Sequence, residues 1–222
     1  MTFTMEMENR DLLVEGAKVF GIYLHEKEVE AFDFYLRELL KWNQKINLTA
    51  IRSERGIVLK HFLDSLSVYP YLSETISLLD AGSGAGFPGI PLKIVQPSLE
   101  ITLIDSVRKK VDFQRHIIRM LGLKRIGAIH GRVQDKEILQ SLTGQFDTVI
   151  SRAFSDLQTL LLLTYPFLRK GGLLLAMKGK RERGEIGRPC KGEETQYRLQ
   201  KTVSFLLPQS SFKRSILLFQ KR

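Results

Sequence analysis

The chain has 222 residues, 43% hydrophobic and 26% charged, a balance that suits one domain with a modest extension and excludes wholesale disorder. Its 34 Lys and Arg against 24 Asp and Glu leave a formal charge of +10, which favours anionic partners. A lone cysteine, Cys190, excludes a disulfide framework, a multi-cysteine zinc site and an iron–sulfur cluster, and no apolar run reaches the roughly 18 residues of a membrane span.

The opening MTFTMEMENRD lacks the basic start and apolar stretch of a secretion signal, so a cytoplasmic protein is expected. Asn9 is expected to cap a helix carrying Leu12, Leu13, Ala17 and Phe20 at helical spacing. A longer helix from about Glu26 repeats Val29, Phe32, Leu36, Leu39, Leu40 and Ile46. Ser53 can cap a third, with Ile57, Phe62, Leu66 and Tyr69 facing inward and Pro70 closing it. These helices define an N-terminal extension, residues 1–72, packed on a catalytic domain over 73–222.

From Ile76 the period changes to short apolar runs alternating with amphipathic segments, the pattern of repeated strand–helix units and a parallel sheet. Strands are predicted at Ile76–Ala81, Leu99–Asp105, Ile126–His130, Phe146–Ser151 and Gly172–Lys178. Helices are predicted between them at Pro88–Gln96, Arg108–Leu121, Gln134–Leu142 and Asp156–Leu168. Gly122 suits a left-handed stop and Ser155 a cap. Two late strands, Thr202–Leu207 and Ser215–Gln220, are expected to form an antiparallel edge, and Lys178–Gln196 reads as a mobile loop.

The positive charge is clustered. Lys178–Arg222 holds 12 basic and 4 acidic residues, and Arg108–Arg132 holds eight basic residues against Asp112 alone. Such clusters attract nucleic acid by counterion release, although each is equally readable as the solvated face of a helix or loop.

The most informative local motif is LDAGSGAGFPGIPL, Leu79–Leu92. Gly82, Gly84 and Gly86 follow a strand end and precede a helix, so the backbone can turn sharply and lie against a ligand. A dinucleotide fingerprint needs its third glycine one residue later, where Phe87 stands, which argues against a nicotinamide cofactor. Asp105 closes the next strand, where a carboxylate can accept both hydroxyls of a ribose or cap the Arg108 helix. Together these features point to an adenosine-containing ligand.

Several blocks then match a known family: WNQKINLTAI (Trp42–Ile51), HFLDSL (His61–Leu66), the glycine turn, LIDSVRKKVDF (Leu103–Phe113), GRVQD (Gly131–Asp135), FDTVISRAF (Phe146–Phe154) and MKGK (Met177–Lys180). Over nearly its whole length the chain resembles the bacterial 16S ribosomal RNA N7-guanine methyltransferase G family, also called glucose-inhibited division protein B. It departs mildly: Gln134 stands where glutamate is common, and Gln145–Phe146 follows a segment a few residues longer than in some relatives. The resemblance implies an α/β, Rossmann-like methyltransferase fold, a mostly parallel seven-stranded sheet with an antiparallel edge, and S-adenosylmethionine as cofactor. It implies cofactor contacts from Gly82, Phe87, Val133, Gln134 and Arg152, to which the turn and strand ends add Ser83, Gly84, Gly86, Asp105 and Ser106. Asp80 either orients the turn or reaches the cofactor's amino group.

Methylating guanine N7 needs no general base, because N7 carries an in-plane lone pair and no proton. The absence of a catalytic dyad is therefore expected, and Arg152 and Lys178 are the candidates for facing the guanosine. RNA contacts are expected from His61, Arg152, Lys178, Lys180 and Arg181. Asn47, His61, Asp64 and Ser65 are expected either to knit the helical extension to the sheet and shape the site's rim or to contact RNA directly. His25, His116 and His130 read as surface or packing residues. The partner implied is 16S rRNA or the small ribosomal subunit, with no metal, no membrane and a monomeric enzyme. Two other classes compete: a nicotinamide-dependent oxidoreductase, and a non-catalytic RNA-binding module on a methyltransferase shell.

Overall fold

A computed structural model describes residues 5–152, 156–179 and 196–222. Helices α1 (Met7–Lys18), α2 (Glu26–Asn43) and α3 (Glu54–Ile57) lead into a π-helical stretch, Val58–Leu63, and then α4 (Asp64–Leu66). The alternating part follows as β1 (Ser77–Ala81), α5 (Gly89–Val95), β2 (Glu100–Asp105), α6 (Arg108–Met120), β3 (Ile126–His130), α7 (Lys136–Leu142) and β4 (Phe146–Ser151). It closes with α8 (Leu157–Thr164), β5 (Leu168–Lys178), β6 (Tyr197–Leu206) and β7 (Lys213–Lys221).

The strands form one seven-stranded sheet in the order β3-β2-β1-β4-β5-β7-β6. β1 to β5 pair in parallel and β7 runs antiparallel to both β5 and β6. The order reverses between β1 and β4, and in an open α/β sheet a ligand crevice lies outside the carboxyl ends of the strands at that point. Both faces of the sheet are covered. Alternate residues of each strand enter opposite layers: Leu78, Leu103, Leu175 and Ile216 join a cluster with α1, α2, α5 and α6, while Leu79, Ile104, Leu174 and Leu217 pack with α7 and α8. A buried leucine contributes about 1.5–3 kcal/mol, so the two layers together hold the sheet between them. The N-terminal helices share the first layer's core, with Leu12, Phe32, Leu36 and Phe62 wholly buried in it.

Several local expectations hold. The Ser53 hydroxyl accepts from Gly56 N at 3.2 Å, and Gly122 has φ +61° after α6. Others shift for visible reasons. Asn9 lies inside α1, because the Glu6 carbonyl already accepts from Asn9 N and Arg10 N at 2.9 Å; Asn9 is buried, its amide directed at Glu6 and Glu54. Asp156 caps α8 by accepting from Thr159 N at 2.7 Å, whereas Ser155 lies outside the described residues. α7 starts at Lys136, two residues later than Gln134, after a turn in which Asp135 accepts from Arg132 N. β5 begins at Leu168, four residues before Gly172, because Leu168 already pairs with Phe146. β6 begins at Tyr197, where pairing with Lys221 extends the edge past Thr202. The expected Lys178–Gln196 loop falls mostly on residues 180–195, outside the described residues.

Candidate active site

The glycine turn is built by backbone hydrogen bonding across the ends of β1 and β2. Gly82 N and Ser83 N both donate to the Ile104 carbonyl, at 2.9 and 3.0 Å, and the Ser83 carbonyl accepts from Gly86 N and Phe87 N at 2.8 Å. Gly84 and Gly86 have φ of +61° and +100°, a region that L side chains rarely adopt. They need glycine for different reasons. A Cβ on Gly86 would stand 2.5 Å from Ile90 and 2.8 Å from the Tyr35 hydroxyl, whereas one on Gly84 would meet nothing within 4 Å. Gly84 therefore presents bare backbone to open space.

Asp105 ties this turn to the end of β2. Its Oδ2 accepts from Gly84 N at 2.8 Å and its Oδ1 from Val107 N at 2.9 Å, so the carboxylate holds the turn and opens α6 at once. A carboxylate has about four acceptor positions, and each oxygen keeps one for a ligand hydroxyl. From α6, Gln114 donates to Ser83 Oγ at 2.8 Å and to the Gly84 carbonyl at 2.6 Å. Sequence reasoning missed Gln114. The available signal was its place three residues from Val111 and Ile117 on the buried face of α6, an odd site for an amide without a partner.

The opposite wall comes from the helical extension. Asn43 Oδ1 accepts from Leu48 N and Thr49 N at 2.9 and 3.0 Å, and its amide donates to the Thr49 carbonyl at 2.9 Å. The Asn43 side chain thus shapes the NLT turn; Asn47 is exposed. The Phe87 ring stacks on His61 (4.5 Å between centroids, 7° between planes) and on Tyr35 (5.2 Å, 15°). Arg152, just past β4, reaches into the π-helical stretch. It donates to the Lys60 carbonyl at 3.1 Å, to Asp64 Oδ2 at 3.2 Å and to His61 Nδ1 at 3.1 Å. Asp64 Oδ1 also accepts from Arg214 Nε of β7 at 2.8 Å, so one buried carboxylate joins two arginines and two distant strands to the helical extension. Ser65 Oγ donates to the His61 carbonyl at 2.5 Å.

Leu48, Thr49, His61, Phe87, Asp105, Lys110, Arg152 and the 82–85 turn enclose a cleft of about 240 Å³ at the carboxyl ends of β1, β2 and β4. Burial, reinforced by the Arg152 guanidinium, pushes the His61 imidazole down to about 3, so the ring is neutral. Beneath the turn, burial pushes the Asp80 carboxyl up to about 7; its Oδ2 accepts from Gly89 N at 2.8 Å, and its Oδ1 has no partner among the described residues.

A family model described as rRNA small subunit methyltransferase G matches residues 28–216. The chain belongs to that family. A ribosomal RNA small subunit methyltransferase G of Geobacter metallireducens is 43% identical over 220 residues, covering 98% of this chain and 99% of its own. One of Acetivibrio thermocellus is 38% identical over 218 residues, covering 97% and 90%. Among solved structures, the protein Atu636 from Agrobacterium tumefaciens, described as a predicted O-methyltransferase, superposes with a TM-score of 0.55 at 17% identity, over 66% of this chain and 74% of its own, a likeness of fold.

Members of the methyltransferase G family use S-adenosylmethionine, and the cleft of this member suits it: bare backbone at Gly84 and a carboxylate with free acceptor positions at Asp105. Around the rim, the structure brings together Gly82, Ser83, Gly84, Phe87, Asp105, Arg152 and His61. Gly86 closes the turn on its buried side, against Tyr35 and Ile90. Ser106 is exposed and its carbonyl accepts from His130 at 3.2 Å. Val133 is buried in the second layer's core, while Gln134 beside it is exposed. Lys178 ends β5 as a buried side chain, 4% exposed, outside the residues lining the cleft. Lys180, Arg181 and Cys190 lie outside the described residues. No helix among the described residues is long and apolar enough to cross a membrane.

Proposed function

We propose that this methyltransferase transfers the methyl group of S-adenosylmethionine to N7 of a guanosine in 16S rRNA of the small ribosomal subunit, acting as a cytoplasmic monomer without a metal. The observation that carries the reading is the Asp105 carboxylate clamped to Gly84 N across an open glycine turn, beside a guanidinium at the end of β4.

In this reading Asp105 holds the ribose hydroxyls and Gly82, Ser83 and Gly84 lie along the cofactor, with Gly86 supporting the turn. Ser106, Val133 and Gln134 serve the adenine side. Phe87 and Arg152 close the methionine end. The bound cofactor supplies an electrophilic sulfonium methyl. The protein supplies alignment, and positioning of this kind reaches effective molarities on the order of 10⁵–10⁸ M. His61, with both ring nitrogens bonded and one face on Phe87, acts by holding Arg152 and Thr49 in place. Lys178 supports the end of β5, and the positive charges of Lys180 and Arg181 serve to attract RNA phosphates. In A-form RNA the major groove is too deep and narrow for side chains, so the guanine must be in a loop or unstacked when its N7 is presented. The cationic charge of α6 and of the C-terminal strands draws in the phosphates, so RNA affinity should fall steeply with salt.

The test is transfer of labelled methyl to 30S subunits and to protein-free 16S rRNA, followed by mapping of the product. N7-methylguanosine at one position, lost in Asp105→Ala, is expected. Label on another atom, or none on either RNA, overturns the reading.

A further inference from the structure

We propose that the Thr49 hydroxyl reads guanine O6 and thereby selects guanine for the reaction. The proposal rests on the N7-guanosine reading above and names the residue that gives it base specificity.

N7 alone cannot distinguish the purines, because adenine also offers an unprotonated N7 on the same edge. What differs beside it is O6, an acceptor in guanine, against the N6 amino donor of adenine. A site that methylates only guanine therefore benefits from a donor within reach of O6.

The hydrogen-bond polarity of the cleft supplies one. Arg152 is always protonated and can only donate. Its bond to His61 Nδ1, at 3.1 Å, makes that nitrogen the acceptor. A neutral imidazole carries one proton, so it sits on Nε2. Nε2 lies 2.8 Å from Thr49 Oγ1 and donates to it. Ile51 N donates to the same oxygen at 3.1 Å. Both acceptor positions of the Thr49 hydroxyl are thus filled from within the protein, and what remains is its proton, for which the described residues offer no acceptor. Thr49 lines the cleft, its backbone N–H and carbonyl both held by the Asn43 side chain, so the O–H is available to a ligand oxygen and to nothing that only donates. An adenine amino group there would face a donor with a donor.

The experiment compares wild type, Thr49→Val and Thr49→Ser on two RNAs, one with guanosine and one with 2-aminopurine riboside at the methylated position. 2-Aminopurine keeps N7 and the 2-amino group but lacks O6. Its intrinsic N7 reactivity cancels when the guanosine/2-aminopurine ratio of kcat/KM is compared between enzymes. Wild type should prefer guanosine. Thr49→Val should lose about five- to a hundredfold on guanosine and little on 2-aminopurine, collapsing the ratio, the range expected for one buried hydrogen bond. Thr49→Ser should keep the ratio. S-Adenosylhomocysteine affinity by calorimetry should be equal in all three. An equal loss of Thr49→Val on both RNAs, or a weakened S-adenosylhomocysteine affinity, overturns the proposal, since Thr49 would then be structural or serve the cofactor. A wild-type product other than N7-methylguanosine overturns the underlying reading instead, and that control tells the two failures apart.

Discussion

Gly84 and Gly86 sit two residues apart with similar backbone signs and opposite surroundings, which separates stability from binding. Gly86→Ala pushes a methyl into Ile90 and Tyr35 and should destabilise the protein by about 2–4 kcal/mol in denaturant titration, combining left-handed strain with overpacking. Gly84→Ala pays only the backbone strain, about 1–2 kcal/mol, yet places its methyl where the cofactor is proposed to lie. It should abolish S-adenosylhomocysteine binding in calorimetry while still folding; normal affinity in that variant would move the cofactor away from the turn. Gln114 is the quieter partner. Gln114→Leu leaves the Gly84 carbonyl without its donor and should cost about 1–3 kcal/mol, with weakened cofactor binding as the turn loosens.

Elements are joined here by single carboxylates. Asp147 on β4 accepts from Ile76 N, Ser77 N and Ser77 Oγ at 2.8–3.1 Å, pinning the start of β1 where the strand order reverses. Asp147→Ala strips those donors of their acceptor and should lower stability by about 1–3 kcal/mol. The chain's one tryptophan gives a convenient readout: Trp42, on α2, packs on α6 against Phe113 at 5.4 Å and His116 at 5.1 Å, so its fluorescence follows docking of the helical extension on the sheet layer. The π-helical stretch does a different task. Its widened turn carries both Lys60, whose carbonyl accepts from Arg152, and His61, and π-bulges of this kind are frequent at functional sites. Sequence periodicity could not show it, because the inward positions Ile57, Phe62 and Leu66 fit an ordinary helix well enough.

Across the molecule, two buried groups titrate in opposite senses. His61 is held near 3 when folded against 6.5 when unfolded, so in that interval the unfolded chain binds the extra proton and stability falls as pH falls. Asp80 is held near 7 against 3.8, so the folded chain holds the extra proton and stability falls as pH rises. Each slope is at most about 1.4 kcal/mol per pH unit, and between roughly pH 4 and 6.5 they offset one another. Asp80→Asn removes the second slope alone. Its stability, followed by Trp42 fluorescence in denaturant, should drop more steeply than wild type on acidification from pH 6.5 to 4.5; parallel curves would refute the Asp80 assignment.

The parts legible in the sequence were those governed by neighbours along the chain. Strand and helix alternation, the glycine turn, the Ser53 cap and the Gly122 stop all follow from spacing and backbone preference within a few residues. Asp105 was legible too, because a strand end just past a glycine turn has only one place to face. The rest depended on approach through space. Asp64 meets Arg214 across 150 positions, Arg152 meets His61 across 91, and Gln114 meets Gly84 across 30. Folding alone brings such pairs within hydrogen-bond distance, and the direction of each bond, which leaves the Thr49 proton free, exists only once donors and acceptors have been set against one another.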